Sequence, residues 1–565
     1  MTPPVLTVVC APHQTQVEGD VCSWFGYSEG SILRYIEDNR ERLRSKYLAW
    51  VQDLGNFEVL GQRVVDHMNM DGFSLWWMST IVEKSSYKSP ISDALKLLAL
   101  EEILVQSQTK QARLICDDSK IVASVRQLCA ALEIELRIDS SLEPKIGDQL
   151  KQRTPGCIFA FATILKYALE RSVLFGKGKK RAGHRSNDNS VFFFSYLFNL
   201  DVSSGATNFR SKYWVGLHEL LRKMGLRQNW IHMYYQHAEI PTASSAKARL
   251  VGFNKSDNET HSLLDEYCTF WVLVTVLFKY CTFRWRSRSL CRLPKSRAFT
   301  PRNSCLSLWP LIENDWRFSI IGSGLAVSIL RLELFKKILS QLERQEKGFF
   351  LMENQGWEKA FVHVWKSYEH GPLFGVCHAT VRYWDLRNYY DPALFLDNSE
   401  FKMPQPDGII VNGPVAKRML EAGGYPERLL VGAEALRFNY LATSAAFPEK
   451  LVASVDATPI LLLGDFSKDV TLQMLKTVKE GFQEANGTFE FTLKSHPNCR
   501  VHAEEVNGLE FESTDQPIGE VIRDYDIAIV SSLTSASVDA YLSGLRVIVV
   551  LSQFDLNESP LLGVK

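Results

Sequence analysis

Residues 526–551, DIAIVSSLTSASVDAYLSGLRVIVVL, contain one complete strand–helix–strand pattern. The run 526–530 is apolar and β-branched, and it ends at a serine pair that opens a helical pattern. Gly544 follows that pattern, and 546–551 is a second β-branched run. Serine before a helix and glycine after it are the usual boundary residues. The stretch therefore predicts a βαβ unit with two parallel strands.

The same alternation extends through the last third of the chain. Short apolar runs are separated by helical patterns of about 10–15 residues, which is typical of a parallel sheet covered by helices. We therefore predict an α/β, Rossmann-like domain over 405–565. Its further strands are expected at 408–411, 429–431, 459–463 and 489–493, and its further helices at 415–422 and 470–485.

The first 404 residues repeat this pattern less regularly. Three more βαβ units are predicted within 112–138, 191–235 and 348–376. Between them, 238–316 breaks the alternation and is expected to be an insertion. The simplest architecture is two doubly wound α/β domains, 1–404 and 405–565, facing each other across a cleft. Ligands of such sheets bind at the carboxyl ends of the strands, so the residues that follow each strand are the candidates for function.

Composition narrows the class of protein. The chain has 565 residues, and its 46% hydrophobic and 23% charged residues are typical of globular proteins. Lys and Arg together number 64, as do Asp and Glu, so the overall charge predicts no polyanionic partner. The 11 cysteines include no CxxC pair, which argues against a zinc ribbon and favours reduced thiols in the cytoplasm.

Two segments combine apolar, aromatic and basic residues. Between 268 and 312 there are eight Lys or Arg and no Asp or Glu, and 158–175 is an apolar helical pattern followed by the basic run 176–185. Such segments suit contact with an anionic membrane surface, whereas a spanning helix needs about 20 apolar residues. We predict peripheral membrane contact through about 158–185 and 268–302. The alternative is a buried helix with a solvated basic loop. Nucleic-acid binding is not predicted, because no binding motif accompanies the charge.

The strand ends of the C-terminal domain indicate a phosphate site. Small hydroxyls between a strand and a helix offer hydrogen-bond donors to an anion, and a histidine after the neighbouring strand can donate to the same group. The alternative is a simple serine cap and a structural histidine. Glu434 is expected to accept from a ribose diol or to pair with Arg437. The predicted nucleotide-binding residues are Lys494, His496, Ser531, Ser532, Thr534, Ser535, Glu434 and Gly464.

The strand ends of the N-terminal domain indicate an acid–base site. Glu353 follows a predicted strand, where a carboxylate can take a proton from an acceptor hydroxyl, although helix capping is an equal alternative. The next strand end, 377–387, is rich in His, Arg, Trp and Asp, which suits an anionic, polyhydroxylated ligand or a surface salt-bridge network. The candidate catalytic residues are Glu353, His378, Asp385 and His496, and those for the sugar or acceptor are Gln355, Arg382, Trp384 and Arg387.

Taken together, several motifs resemble a bacterial surface-carbohydrate biosynthesis family. They include ENQGWE (353–358), GVCHATVRYWDLR (375–387), GAEALRFNYL (432–441), KSHP (494–497) and SSLTSASVDAYLSGLRVIVV (531–550). The His-Pro pair with a Ser/Thr cluster is also similar to polysialyltransferases and capsule Kdo transferases, which are GT-B glycosyltransferases that use CMP-activated sugars. The polysialyltransferase motif is a pair of acids followed by Gly, whereas this chain reads Glu-Asn-Gln-Gly.

The resemblance implies a GT-B fold in which His496, Ser531 and Ser532 hold the nucleotide phosphate and Glu353 is the base, with His378 or Asp385 as replacements. It implies transfer of an acidic sugar, Kdo or a sialic-acid-like nonulosonate, from a CMP donor to a glycan or lipid-linked glycan. We expect no cofactor and no catalytic metal, and a location on the cytoplasmic face of the inner membrane. The alternatives are a UDP- or GDP-sugar transferase or epimerase on the same fold, and a non-catalytic membrane scaffold.

Overall fold

A computed structural model of the chain describes most of its residues and divides it into two compact units. The first unit comprises Met1–Asp20, Asn39–Ala379 and Leu386–Arg437, and the second comprises Val21–Asp38, Thr380–Asp385 and Phe438–Lys565. The residues described are 5–10, 20–139, 156–176, 178, 190–200, 209–256, 258–396, 398–443, 457–483, 485, 487–497, 499–506 and 508–564.

The strands are short and mostly apolar, as the sequence predicts. In chain order they are β1 (Val5–Val9), β2 (Asp20–Ser23), β3 (Glu58–Val59), β4 (Gln62–Arg63), β5 (Asn69–Met70), β6 (Phe73–Ser74), β7 (Gln111–Ile115), β8 (Glu135–Asp139), β9 (Ser190–Tyr196), β10 (Arg227–Met233), β11 (Glu259–Leu263), β12 (Lys347–Leu351), β13 (Leu373–Val376), β14 (Gly408–Val411), β15 (Leu430–Gly432), β16 (Thr458–Leu463), β17 (Phe489–Lys494), β18 (Glu512–Ser513), β19 (Ile527–Ser531) and β20 (Arg546–Val550).

The α-helices lie mainly between these strands. In chain order they are α1 (Ile32–Asp38), α2 (Arg40–Asn56), α3 (Val64–His67), α4 (Thr80–Glu83), α5 (Ile91–Ser107), α6 (Ser119–Ala131), α7 (Gly156–Arg171), α8 (Leu217–Lys223), α9 (Ala243–Phe253), α10 (Phe270–Arg286), α11 (Lys295–Ala298), α12 (Trp309–Ile320), α13 (Ser323–Leu339), α14 (Gly356–Ser367), α15 (Pro414–Ala422), α16 (Asn439–Thr443), α17 (Lys468–Phe482), α18 (Ile518–Val521) and α19 (Ala536–Leu542).

The first unit is built on a seven-stranded parallel sheet. Its strand order is β11-β10-β9-β12-β13-β14-β15. The strands β1, β7 and β8 pair in parallel as a separate group. Aromatic residues meet across the large sheet, because the register places Trp230, Phe193, Phe349 and Phe374 side by side on one face. Their rings stack with centroids 4.1 to 5.5 Å apart, which stabilises the register.

The helix α13 lies in the interior of the first unit and packs against α7, α10 and α14. Within the described residues, one helical stretch, Trp309–Leu339, is long and apolar enough to cross a membrane, and 61% of its most apolar window is buried in the protein. That stretch consists of α12 and α13, with Ile321 and Gly322 between them. Burial of this extent is typical of a helix in a protein core.

The second unit is built on a five-stranded parallel sheet in the order β18-β17-β16-β19-β20. Alternate residues of its central strands face two separate apolar clusters, one on each side of the sheet. Ile460 and Leu462 pack in one cluster with α17, and Leu461 and Leu463 pack in the other with residues such as Val521 and Ala540. Burial on both faces explains the continuous apolar run at 459–463.

The predicted α/β class, with Rossmann-like parallel sheets in two units, is confirmed. The domain boundary differs from the prediction. The strands β14 and β15 pair with the sheet of the first unit, and the main segment of the second unit begins at Phe438 rather than at 405. The segment 238–316 is not simply an insertion as predicted, because it contains β11, the edge strand of the seven-stranded sheet. Strand pairing decides both points, and sequence alternation does not encode it.

Candidate functional site

The sheet of the first unit reverses its direction of growth between β9 and β12. From β9 the chain adds β10 and β11 on one side, and from β12 it adds β13, β14 and β15 on the other. In parallel α/β sheets, ligands bind outside the carboxyl ends of the strands at such a switch point. The residues that follow β12 and β13 are therefore the candidates for a ligand-binding site.

A carboxylate and a histidine form a pair at this edge. Glu353 follows β12, His378 follows β13, and Glu353 Oε1 lies 3.3 Å from His378 Nε2. The second carboxylate oxygen accepts a 2.7 Å hydrogen bond from Gln355 Nε2. Both partners are largely shielded from water, with 22% of the Glu353 side chain and 10% of the His378 side chain exposed. The structure thus brings two predicted catalytic residues together.

The charge state of Glu353 follows from its neighbours. Burial by itself raises the pKa of this carboxyl, but the hydrogen bond from His378 and the charges of His378 and Arg387 outweigh burial and hold the pKa below its usual value. Glu353 is therefore ionised and accepts the His378 Nε2 proton. His378 Nδ1 is buried and has no hydrogen-bond partner among the described residues. In the neutral form of the ring with its proton on Nε2, Nδ1 is the proton acceptor.

The loop that carries Glu353 is held by a buried acid on the next helix. Glu358 Oε1 accepts hydrogen bonds from the backbone N–H groups of Glu353 and Gln355, at 2.8 and 3.1 Å, and Oε2 accepts one from Asn354 at 3.0 Å. Asn354 has a φ of 56°, so the backbone turns sharply here. Burial raises the pKa of Glu358 to about 8 and lowers that of Lys359 to about 8.

The sheet of the second unit has its own switch point, between β16 and β19. Asp465 follows β16 and is fully buried. Ser531 Oγ, at the end of β19, donates a 2.9 Å hydrogen bond to Asp465 Oδ2, and Oδ1 accepts one of 2.9 Å from the backbone N–H of Ser467. The serine hydroxyl predicted to bind phosphate is therefore engaged within the protein, because its buried neighbour is an acceptor.

Lys494 and His496 lie at the same edge of this sheet. The Lys494 carbonyl accepts the backbone N–H of Gly464 at 3.1 Å, which joins the ends of β16 and β17. Burial lowers the pKa of His496; the charge of Asp465 opposes the shift and that of Lys494 adds to it. Burial also lowers the pKa of Lys494, against the charge of Asp515. His496 thus lies close enough to Asp465 and Lys494 for both charges to act on its ring.

The remaining hydroxyls belong to the loop between β19 and α19. Ser532 Oγ accepts the backbone N–H of Ser552 at 3.3 Å, and Thr534 Oγ1 accepts that of Ala536 at 3.4 Å. Ser535 occupies the position before α19 and makes no side-chain capping bond. Ser532 therefore accepts from the backbone that follows β20 and Thr534 from the start of α19, and phosphate binding by this loop stays a prediction.

The segment 377–387 is divided between the two units. Trp384 is 1% exposed, and its Nε1 donates a 2.9 Å hydrogen bond to Glu37 on α1. The prediction that Trp384 binds the sugar or acceptor is wrong, because its ring is buried in the second unit. Arg382 joins the β19–α19 loop by donating to the Leu533 carbonyl at 2.7 Å, and it lies 3.8 Å from Glu558.

The predicted site residues thus form two groups, one in each unit. Glu434 lines a cavity next to His378 and belongs to the first unit, whereas the other predicted nucleotide-binding residues belong to the second. The first group is Glu353, Gln355, His378, Arg387 and Glu434. The second group is Arg382, Trp384, Asp385, Gly464, Lys494, His496, Ser531, Ser532, Thr534 and Ser535.

Two buried acids at the strand ends are not among the site residues predicted from the sequence. They are Glu358, whose place in the sequence is that of a helix-capping acid, and Asp465, which follows a predicted apolar strand. Their sequence signals were the Gln355-to-Glu358 spacing and the Gly-Asp pair after an apolar strand. Across the described part of the chain, no group of three or more His, Cys, Asp or Glu residues is placed to hold a metal ion. Metal-independent chemistry stays a prediction.

Comparison with known proteins gives similarity of fold alone. No protein-family model matches the chain, and no curated protein does. The calicheamicin glycosyltransferase CalG4 is similar over 65% of this chain and 80% of its own, with 11% identity and a TM-score of 0.33. MurG of Acinetobacter baumannii is similar over 61% and 72%, with 8% identity and a TM-score of 0.30. A UDP-N-acetylglucosamine 2-epimerase of Rickettsia bellii is similar over 63% and 78%, with 10% identity and a TM-score of 0.32.

Proposed function

We propose that the chain is a metal-independent glycosyltransferase that moves an acidic sugar from a CMP donor to a hydroxyl of a glycan or lipid-linked glycan. One observation carries the proposal: both parallel sheets place polar, titratable groups at their switch points, where α/β sheets bind ligands. The first unit supplies a carboxylate–histidine pair suited to proton transfer. The second supplies a histidine and a lysine suited to an anionic nucleotide.

The first unit would act on the acceptor. His378 Nδ1 would take the proton of the acceptor hydroxyl as its oxygen attacks the anomeric carbon of the donor. Glu353, 3.3 Å from the other ring nitrogen, would hold the tautomer and stabilise the imidazolium that forms. Gln355 is a positioning residue in this scheme, since its amide donates to Glu353 and accepts from Trp357 Nε1 at 3.2 Å.

The second unit would bind the donor. The bond between the anomeric carbon and the phosphate oxygen breaks, its electron pair stays on that oxygen, and CMP leaves. Lys494 and the N–H of His496 would stabilise the growing negative charge, as preorganised donors do in other transferases. Asp465 would keep His496 oriented, since its charge acts on that ring. The choice of CMP over other nucleotides rests on the resemblance of KSHP and the Ser/Thr cluster.

The test is a calorimetric and thermal-shift titration with CMP, UDP and GDP, on wild type and on His496→Ala. A ligand at a concentration of about 100 times its dissociation constant stabilises the folded protein by about 2.7 kcal/mol, which a thermal-shift measurement readily detects. We expect selective binding of CMP that the variant weakens at least about 10-fold. The control is His502→Ala, which changes a histidine six positions after His496 in the chain. Preference for UDP or GDP would favour another transferase or an epimerase, and binding of none would favour a scaffold.

We also propose that the first unit attaches to an anionic membrane from the cytoplasmic side. Two helices that pack on α13 expose apolar stripes at helical spacing. On α10 the stripe is Trp271, Val274, Phe278 and Trp285, and on α7 it is Ile158, Phe161, Leu165 and Leu169. The two helices touch where the Phe161 ring meets Tyr280, with centroids 5.9 Å apart. Exposed aromatic residues on this scale are typical of membrane or protein contact.

The basic residues near α10 favour an anionic partner. Lys279 and Arg302 form ion pairs with acids of the first unit, Lys279 with Asp71 and Glu333, and Arg302 with Asp53. The exposed basic residues Arg286, Arg288, Arg292, Lys295 and Arg297 follow the apolar stripe. Each basic residue near an anionic leaflet contributes about 1 kcal/mol. Of the basic run predicted at 176–185, residues 177 and 179–185 lie outside the described residues.

Vesicle sedimentation tests this attachment. We expect the wild type to sediment with vesicles that contain phosphatidylglycerol, and the double variant Trp271→Glu/Phe278→Glu to bind at least about 10-fold more weakly. The matched control is Val251→Glu/Leu396→Glu, which changes two exposed apolar residues elsewhere in the first unit. The proposal would be refuted if both double variants sedimented with these vesicles to the same extent as the wild type.

A further inference from the structure

A cavity of about 310 Å³ lies in the first unit beside the Glu353–His378 pair. We propose that it binds the hydrocarbon chain of an amphipathic acceptor, whose hydroxyl then lies next to His378. The inference rests on the proposed function for the role of that hydroxyl, whereas the binding of the chain can be measured without catalysis. The acceptor class would be a hydroxylated or glycosylated lipid rather than a free glycan.

The floor of the cavity is one face of the seven-stranded sheet. Phe193 and Phe349 are neighbours in the aromatic ladder across β9 and β12, and Val376 and Ile410 continue the same apolar surface on β13 and β14. The ladder fixes these rings, since Phe193 also stacks on Trp230 at 4.1 Å. A rigid, apolar floor of this kind has no group with which to satisfy a buried hydroxyl.

The wall of the cavity consists of α8 and the residues that lead into it. Trp214, Leu217 and Leu221 face the cavity, and Trp214 is held in place by a 3.0 Å hydrogen bond from its Nε1 to Ser195 Oγ. The Tyr213 ring meets the His378 ring edge-on, with centroids 4.6 Å apart. Aromatic and aliphatic side chains therefore continue from the floor up to the catalytic pair.

Polar groups lie on the lining only near the sheet's carboxyl edge. They are His378, Asn412, Glu434 and Arg437, together with the Tyr213 hydroxyl, which accepts a 2.8 Å hydrogen bond from Asn199. Glu434 is exposed, and it follows β15 in the same way that His378 follows β13. A ligand that suits this cavity has an apolar body and a polar head at the edge that carries His378.

The chemistry of the lining selects a hydrocarbon chain over a sugar. A sugar hydroxyl buried without a hydrogen-bond partner weakens binding, whereas each buried methylene group strengthens it. An apolar cavity of about 150 Å³ is large enough for benzene, so a volume of 310 Å³ accommodates a branched or folded alkyl or prenyl segment. Asn412 and Arg437 line the part of the cavity where the polar head, a glycan or phosphate, would begin.

The probe is octyl β-D-glucoside below its micelle-forming concentration, compared with glucose, by calorimetry on the full chain. We expect the octyl compound to bind at least about 100-fold more tightly than glucose, because only its chain enters the cavity. Leu217→Gln, which places an amide in the wall, is expected to weaken binding at least about 10-fold. Leu220→Gln on the same helix changes an exposed residue that does not line the cavity and is the matched control.

Two further variants separate the possible outcomes. Leu221→Trp fills the cavity with a larger apolar group and should also abolish binding while the protein stays folded, as circular dichroism will verify. Glu353→Gln should keep octyl glucoside binding even if it destroys turnover, so failure of the proposed function and failure of this site are distinguishable. Equal binding by wild type, Leu217→Gln and Leu221→Trp, or no advantage of the octyl compound over glucose, would overturn the proposal.

Discussion

Glu353→Gln is expected to lower kcat for sugar transfer by about 10²–10⁴-fold. A glutamine amide at this position can donate to His378 Nε2 and leave the ring proton on Nδ1, the atom proposed to accept the substrate proton. The measurement is steady-state kinetics with a CMP-sugar donor and a glycolipid acceptor. His378→Ala should lose a similar factor, and nucleotide binding should persist in both variants.

The pair is further tested by its non-additivity. Because Glu353 acts through His378, the double variant should lose little more than His378→Ala does alone. Glu400→Gln, an exposed acid of the first unit, serves as the control and should retain wild-type turnover. Wild-type kcat in Glu353→Gln, or fully additive losses in the double variant, would remove the pair from the mechanism.

The second large effect is expected from Glu358→Ala. The change leaves three backbone N–H groups of the 353–355 loop without their acceptor and leaves Lys359 buried without the adjacent carboxylate. We expect the free energy of unfolding to fall by about 3–5 kcal/mol, as measured by urea denaturation. Glu421→Ala on α15, an exposed helical acid, is the control and should cost less than about 1 kcal/mol.

A second readout distinguishes positioning from stability alone. Glu358→Gln keeps an oxygen that can accept from Glu353 and Gln355 but presents an amide donor to the N–H of Asn354. Under conditions where it is folded, it should lower kcat more than it raises KM, because the Glu353 loop is displaced. A Glu358→Ala protein as stable and active as the wild type would show that the three hydrogen bonds do not hold the loop.

Local sequence determined the elements of this protein and the strand ends that matter. The runs at 408–411, 459–463 and 489–493 are strands within a residue of their predicted bounds. The first two are continuously apolar, as strands buried on both faces are, whereas 489–493 alternates apolar and polar residues. Glu353 and His378 could be singled out because each follows such a run. A polar side chain directly after a buried strand lies at the edge where ligands bind, and the sequence displays that position directly.

Only tertiary structure decided which of these residues work together. Glu434 and Trp384 both come after apolar strands, yet Glu434 lines the cavity and Trp384 is buried in the core. Strand pairing joins β15, which precedes Glu434, to the sheet of the first unit, whereas 380–385 belongs to the second unit. The seven-stranded order, the Glu353–His378 contact and the apolar cavity all depend on neighbours distant in the chain. Sequence periodicity reports which face of an element is buried, but it carries no record of what buries it.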